Sequence, residues 1–116
     1  MTRRTERVSE LLRGEVAEAL RREVADPRVR LVTITKVDVA PDFSQALVFW
    51  STLDPKADVE DVQKGLDAAA SFMRGRLAQR SQLKRMPRLE FRHDATLIEG
   101  DATLALLREI ADGAKS

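Results

Sequence analysis

Arg76, Arg80 and Lys84 stand four residues apart, with Arg74 and Arg85 flanking them. On a helix that spacing places three cations on one face, advancing about 6 Å per step, close to the separation of successive phosphates along an RNA strand. Arginine adds a planar fork of donors that matches phosphate oxygens. Residues 74–92 carry seven cations against Glu90 alone, whereas residues 54–67 carry five acids against Lys56 and Lys64. The whole chain of 116 residues has a formal charge of only +1. Any attraction for a polyanion is therefore local rather than global. Cations at a helix C-terminus also complement the dipole. That explains Lys84 and Arg85 but not Arg74 and Arg76, which fall inside the expected helix. Arg3, Arg4 and Arg7 form a second cluster at a helix N-terminus, where the dipole opposes them. They are candidates either for RNA contact or for ordinary solubilising charge.

The remaining side chains exclude most chemistry. Cysteine is absent, so disulfides and thiolate metal sites are excluded. One histidine, His93, precedes Asp94, but it falls on a strand's apolar alternation and is expected to be structural. One histidine and scattered acids do not make a metal site. Gly65, Gly75 and Gly100 are isolated, and no phosphate-binding glycine loop occurs. The protein is therefore expected to be no enzyme and to need no cofactor. Phe49, Phe72 and Phe91 are expected in the core and Phe43 at a turn. No RNP1 sequence occurs, so backbone and shape are the expected basis of RNA recognition.

The elements that position these residues follow from periodicity. Val8, Leu11, Leu12, Val16, Leu20 and Val24 make one apolar stripe and predict a helix over about 5–25, closed by Asp26-Pro27. Gly14 weakens it by about 1 kcal/mol relative to alanine. A β-branched strand over 31–40, a turn at Pro41-Asp42-Phe43-Ser44 and a strand over 45–53 predict an antiparallel hairpin. The first strand's imperfect alternation leaves its buried face open. Asp58 is the expected N-cap of a helix over about 58–84, with Val59, Val62, Leu66, Ala69, Met73 and Leu77 as its stripe. Pro87 ends it. Leu89, Phe91 and His93 alternate with Arg88, Glu90 and Arg92 in a third strand, and Leu104, Leu107 and Ile110 suggest a short last helix.

This order predicts one α+β domain over 1–116, ordered over about 5–111: a three-stranded sheet with helices packed on one face. It is the element order of a type II KH domain. KH domains clamp nucleotides with a GXXG loop, and no GXXG occurs here. Either the chain is not a KH domain, or its helix junction is a variant. No apolar run is long enough for a signal peptide or a membrane span of about 18 residues or more, so a soluble, cytoplasmic protein is expected.

Three blocks in order carry a family resemblance. The first is Arg7-Val8, Leu11-Leu12, Glu15-Val16-Ala17, Leu20 and Asp26-Pro27-Arg28-Val29. The second is Val32 to Val39 followed by Asp42-Phe43-Ser44-Gln45-Ala46. The third is Pro87-x-Leu89-x-Phe91-x-x-Asp94-x-Thr96-x-x-x-Gly100. Over about residues 4–111 the chain resembles the ribosome-binding factor A family. The resemblance implies a type II KH-like fold, α-β-β-α-kink-α-β plus a short C-terminal helix, in which a helix–kink–helix replaces GXXG. The kink positions are Ala69-Ala70-Ser71, with Ser71 where the family pattern has glycine. It further implies a monomeric assembly factor that binds the immature 30S subunit and acts in late maturation of its 16S RNA, including the 5′ end, with importance in the cold. No cofactor is implied, and other assembly factors, a release GTPase among them, are the implied partners. On this reading Arg74, Arg76, Arg80, Lys84 and Arg85 contact phosphates, Ala69, Ala70 and Ser71 admit the RNA backbone, and Arg3, Arg4 and Arg7 are further candidates. The alternatives are a generic single-stranded RNA-binding KH-like module and a protein-interaction module that meets an acidic partner.

Overall fold

The computed structural model describes residues 3–94. Helix α1 spans Arg3–Glu23 and a short 3-10 turn spans Pro27–Val29. Strands β1 (Val32–Val39) and β2 (Gln45–Thr52) follow, then helix α2 (Val59–Arg80) and strand β3 (Arg88–His93). The C-terminal helix expected around Leu104–Ile110 lies outside the described residues.

The sheet order is β1-β2-β3, with β1 and β2 antiparallel and β2 and β3 parallel. A parallel neighbour requires a long crossover, and α2 supplies it. α1 packs on β1, α2 packs on β3, and the two helices touch each other. This is the expected α+β layout, with both helices on one face of a mixed sheet.

A bulge resolves the uncertain alternation of β1. Ile34 pairs with Trp50 and Lys36 with Phe49, leaving Thr35 as an extra residue. The side-chain phase shifts there, so Ile34 and then Val37 and Val39 all face the core. The Thr35 hydroxyl donates to Asp94 Oδ2 at 2.7 Å, tying the bulge to the end of β3.

Trp50 is fully buried at the centre of the core. Its indole N–H donates to Gln63 Oε1 at 2.8 Å, and the Gln63 amide donates in turn to the Phe91 carbonyl at 2.8 Å and to Asp67 Oδ1 at 2.9 Å. One α2 side chain thus satisfies the tryptophan and links two strands. The buried Ser9 hydroxyl of α1 accepts the Val39 N–H at 3.0 Å, which fixes α1 against β1. His93 packs its ring on Trp50 at 4.6 Å between centroids.

Several expectations are corrected. Leu11 turns away from the core and is 41% exposed, because the buried face of α1 runs through Thr5, Ser9, Leu12, Val16 and Ala19-Leu20. Phe72 is exposed and Phe49 half-buried, while Phe91 alone of the three is core. No break in the helix marks the expected kink: α2 runs uninterrupted through Ala69, Ala70 and Ser71. Two alanines favour the helix, and serine does not enter left-handed geometry as glycine does. Helix α2 also ends at Arg80, four residues early. There the Ser81 N–H caps the Leu77 carbonyl from an extended backbone.

Gly65 lies where α2 crosses the 3-10 turn; a Cβ there would sit 3.0 Å from Val29 Cγ1. Gly14 and Gly75 have open space at the same position. Gly14→Ala and Gly75→Ala are each expected to stabilise the protein by about 0.5–1 kcal/mol, and Gly65→Ala to gain less or to lose. Urea unfolding midpoints check the contrast.

Candidate nucleic-acid interface

Tertiary contacts divide the basic segment into two groups. Arg74 is exposed but reaches back to the connection before β3: its guanidinium donates to the Met86 carbonyl at 3.0 Å and to the Pro87 carbonyl at 3.3 Å. It positions the chain that enters β3. Arg76 and Arg80 lie one turn apart on α2, as the spacing predicts, but both meet Glu23 at the end of α1. Arg76 Nε is 3.2 Å from Glu23 Oε1, and Arg80 holds both carboxylate oxygens in a two-pronged pair. The two guanidinia remain half-exposed, whereas the Glu23 side chain is 17% exposed. The face is therefore basic but partly neutralised.

The Arg80 hydrogen bond holds the Glu23 carboxyl below the usual carboxylate range; burial opposes this, and the charges of Arg80 and Arg76 add to it. A carboxyl with a depressed folded-state pKa contributes stability above its unfolded pKa, and that contribution is lost as pH falls through the folded value. The parent should therefore melt above Glu23→Gln near neutral pH, and the two should converge in acid. Thermal melts from neutral pH down through the carboxylate range check this.

The second group gathers at the other end of α1. With α2 finished at Arg80, Lys84 leaves the helical face it was expected to share and sits in the connection 81–87. There Lys84 and Arg85 line a cleft of about 360 Å3 together with Arg4, Val8, Asp42, Phe43, Gln82 and Leu83. The connection is shaped by local bonds: the Ser81 hydroxyl donates to Glu15 Oε1 at 2.9 Å and accepts the Leu83 N–H at 3.2 Å. Arg3 and Arg7 are exposed one turn apart beside Arg4. Sequence positions 4 and 84–85 thus meet in space.

The cleft contains a strained residue. Phe43 has φ of 58°, the one left-handed non-glycine backbone among the described residues. The turn enforces it: Phe43 N–H donates to the Ala40 carbonyl at 2.8 Å, and Asp42 Oδ1 accepts both the N–H and the hydroxyl of Ser44. Those Ser44 bonds hold the Asp42 carboxyl below its usual range, helped by the charge of Arg85. The result places the phenyl ring 5.0 Å from the Arg4 guanidinium carbon. Strain of this kind collects at functional positions. Residue type alone assigns Phe43 only to a turn; the Pro41-Asp42-Phe43-Ser44 signature is visible in the sequence, but its partner Arg4 is not.

A family model described as Ribosome-binding factor A matches residues 4–107. This chain belongs to the ribosome-binding factor A family. The relatives include Ribosome-binding factor A of Dechloromonas aromatica, 38% identical over 94% of this chain and 87% of that one. That of Pseudomonas syringae pv. tomato is 40% identical over 90% and 77%. Among solved structures, ribosome-binding factor A from Thermus thermophilus superposes with a TM-score of 0.67 at 27% identity, covering 77% of this chain and 94% of that chain. A model of Thermus thermophilus ribosome-binding factor A fitted into the cryo-electron-microscopy map of a 30S complex matches with a TM-score of 0.60 at 28% identity, over 72% and 88%.

Membership of the family sharpens the meaning of α2. Of Ala69, Ala70 and Ser71, Ala69 is buried, Ala70 half-buried and Ser71 exposed. Only the serine is open to a partner at this step. Among the described residues no helix is long and apolar enough to cross a membrane, and no group of three or more His, Cys, Asp or Glu is placed to hold a metal ion.

Proposed function

We propose that this protein binds the immature small ribosomal subunit through phosphates of its 16S RNA and acts, as a non-catalytic monomer in the cytoplasm, in late maturation of that RNA, including its 5′ end. One observation carries the reading: Arg4, Lys84 and Arg85 converge around a strained Phe43 in a cleft. Helix stability does not account for cations at the start of α1, whereas an RNA backbone does. Lys84 and Arg85 are the central phosphate contacts, with Arg4, Arg3 and Arg7 extending the surface along α1. Arg76 and Arg80 are secondary contacts whose charge Glu23 offsets. Arg74 is a positioning residue, and Ser71 is the point on α2 where backbone can approach. The relatives named as ribosome-binding factors, one of them fitted into a 30S map, support the choice of partner.

The mechanism is steric and electrostatic. The bound protein holds an RNA region in a non-translating arrangement until maturation is complete, and a release GTPase is the class of partner that would end the association. Slow RNA rearrangement at low temperature makes such a factor most needed in the cold.

Co-sedimentation with purified small subunits, large subunits and oligonucleotides tests the proposal. Strong binding to small subunits, weakened by salt, with much weaker binding to large subunits and oligonucleotides, is the expected result. Equal binding to every RNA would replace it with the generic single-stranded RNA reading. Binding that survives nuclease treatment would replace it with a protein partner.

A further inference from the structure

Phe72 is the one aromatic side chain among the described residues that is exposed, at 46%, and it stands mid-way along the outer face of α2. Its neighbours on that face, Ala68, Ser71 and Gly75, are small or polar, and a Cβ at Gly75 would meet no atom within 4 Å. The ring is therefore a little under half exposed, beside small neighbours. Arg76 lies over it, with the guanidinium carbon 5.4 Å from the ring centroid, and Glu23 fixes that guanidinium from the other side. Neither packing nor helix propensity calls for phenylalanine here, since alanine favours a helix more.

We propose that Phe72 is a stacking platform for one unpaired RNA base, with Arg76 as its cationic edge. This deepens the function proposed above and rests on it. An RNA strand offers what the pair fits, a flat apolar ring joined to an anionic backbone, and such stacking tolerates any base. An apolar protein partner would instead call for a wider hydrophobic patch, which the small and polar neighbours of Phe72 do not provide. Recognition then uses bases as well as phosphates.

The test compares the parent, Phe72→Leu and Phe72→Trp for binding to small subunits, to a short oligouridylate and to the same oligonucleotide with abasic positions, at low salt. Thermal melts establish that each variant is folded. The parent should prefer the base-bearing strand about ten-fold. Phe72→Leu should lose that preference and bind subunits correspondingly less, and Phe72→Trp should retain both. A parent that does not distinguish the two oligonucleotides, or a Phe72→Leu variant that still does, overturns the stacking role. Loss of subunit binding in Phe72→Leu with oligonucleotide preference intact overturns it in favour of a protein contact. Failure of the parent to bind subunits at all would instead count against the assembly-factor reading.

Discussion

Replacing Lys84 and Arg85 together by glutamate is expected to weaken binding to small subunits about 100-fold at moderate salt. For every phosphate that is no longer neutralised, the log–log salt slope should also fall by about 0.7. Both side chains are exposed and lie outside the helices, so unfolding free energy should change by less than about 0.5 kcal/mol. The comparison variant is Arg76→Glu with Arg80→Glu. It removes two guanidinia already paired with Glu23 and leaves that carboxylate facing two new anions. It should therefore cost more in stability and less in binding than the first. Titrations against subunits at several salt concentrations, beside urea melts of the same preparations, separate the two effects. An equal binding loss in both variants would move the centre of the interface onto α2.

The second large effect concerns stability. Trp50→Ala is expected to cost about 3–5 kcal/mol, the range for truncating a large buried aromatic. Against a typical domain stability of about 5–15 kcal/mol that is a substantial share. Trp50 is fully buried and touches His93, and its N–H is satisfied by Gln63. Gln63→Leu should cost about 1–3 kcal/mol, because it strands the indole N–H and removes the donor to the Phe91 carbonyl. The double variant should cost less than the sum, since the two residues share one bond. Denaturant titrations followed by far-ultraviolet circular dichroism give all three values.

What is legible in the chain follows from the range of the forces involved. Apolar spacing from Leu12 to Leu20 and the proline after Asp26 define α1 and its end because both act within a few residues. The same holds for the hairpin around Asp42 and for the cap at Asp58, whose carboxylate accepts the Glu60 N–H at 2.9 Å. The bulge at Thr35 is hidden because it depends on pairing with β2 and on Asp94, 59 residues away. The early end of α2 is hidden for a similar reason: Ser81 bonds Glu15 across 66 residues. Residue type and local charge single out a set of cations but cannot divide them. Glu23 reaches Arg80 across 57 residues, and Arg74 folds back onto Met86 and Pro87. Arg4 meets Phe43 only because α1 lies beside the hairpin turn. Phe72 is assigned to the core on its type alone; its neighbours Ala69 and Met73 carry the buried stripe, and the helix turns the phenyl outward.

The most direct test of the proposed RNA-facing surface uses the absence of cysteine, which makes any introduced thiol unique. Gln82 lies on the cleft, whereas Lys56 follows the far end of β2. The length of that strand, about 25 Å, separates the two ends of the sheet. Single variants Gln82→Cys and Lys56→Cys, each carrying a tethered iron chelate and bound to small subunits, would be scored for hydroxyl-radical cleavage of 16S RNA. Strong, localised cleavage from position 82 and weak cleavage from position 56 is the predicted result. The reverse pattern would contradict the placement of the interface at Arg4, Lys84 and Arg85.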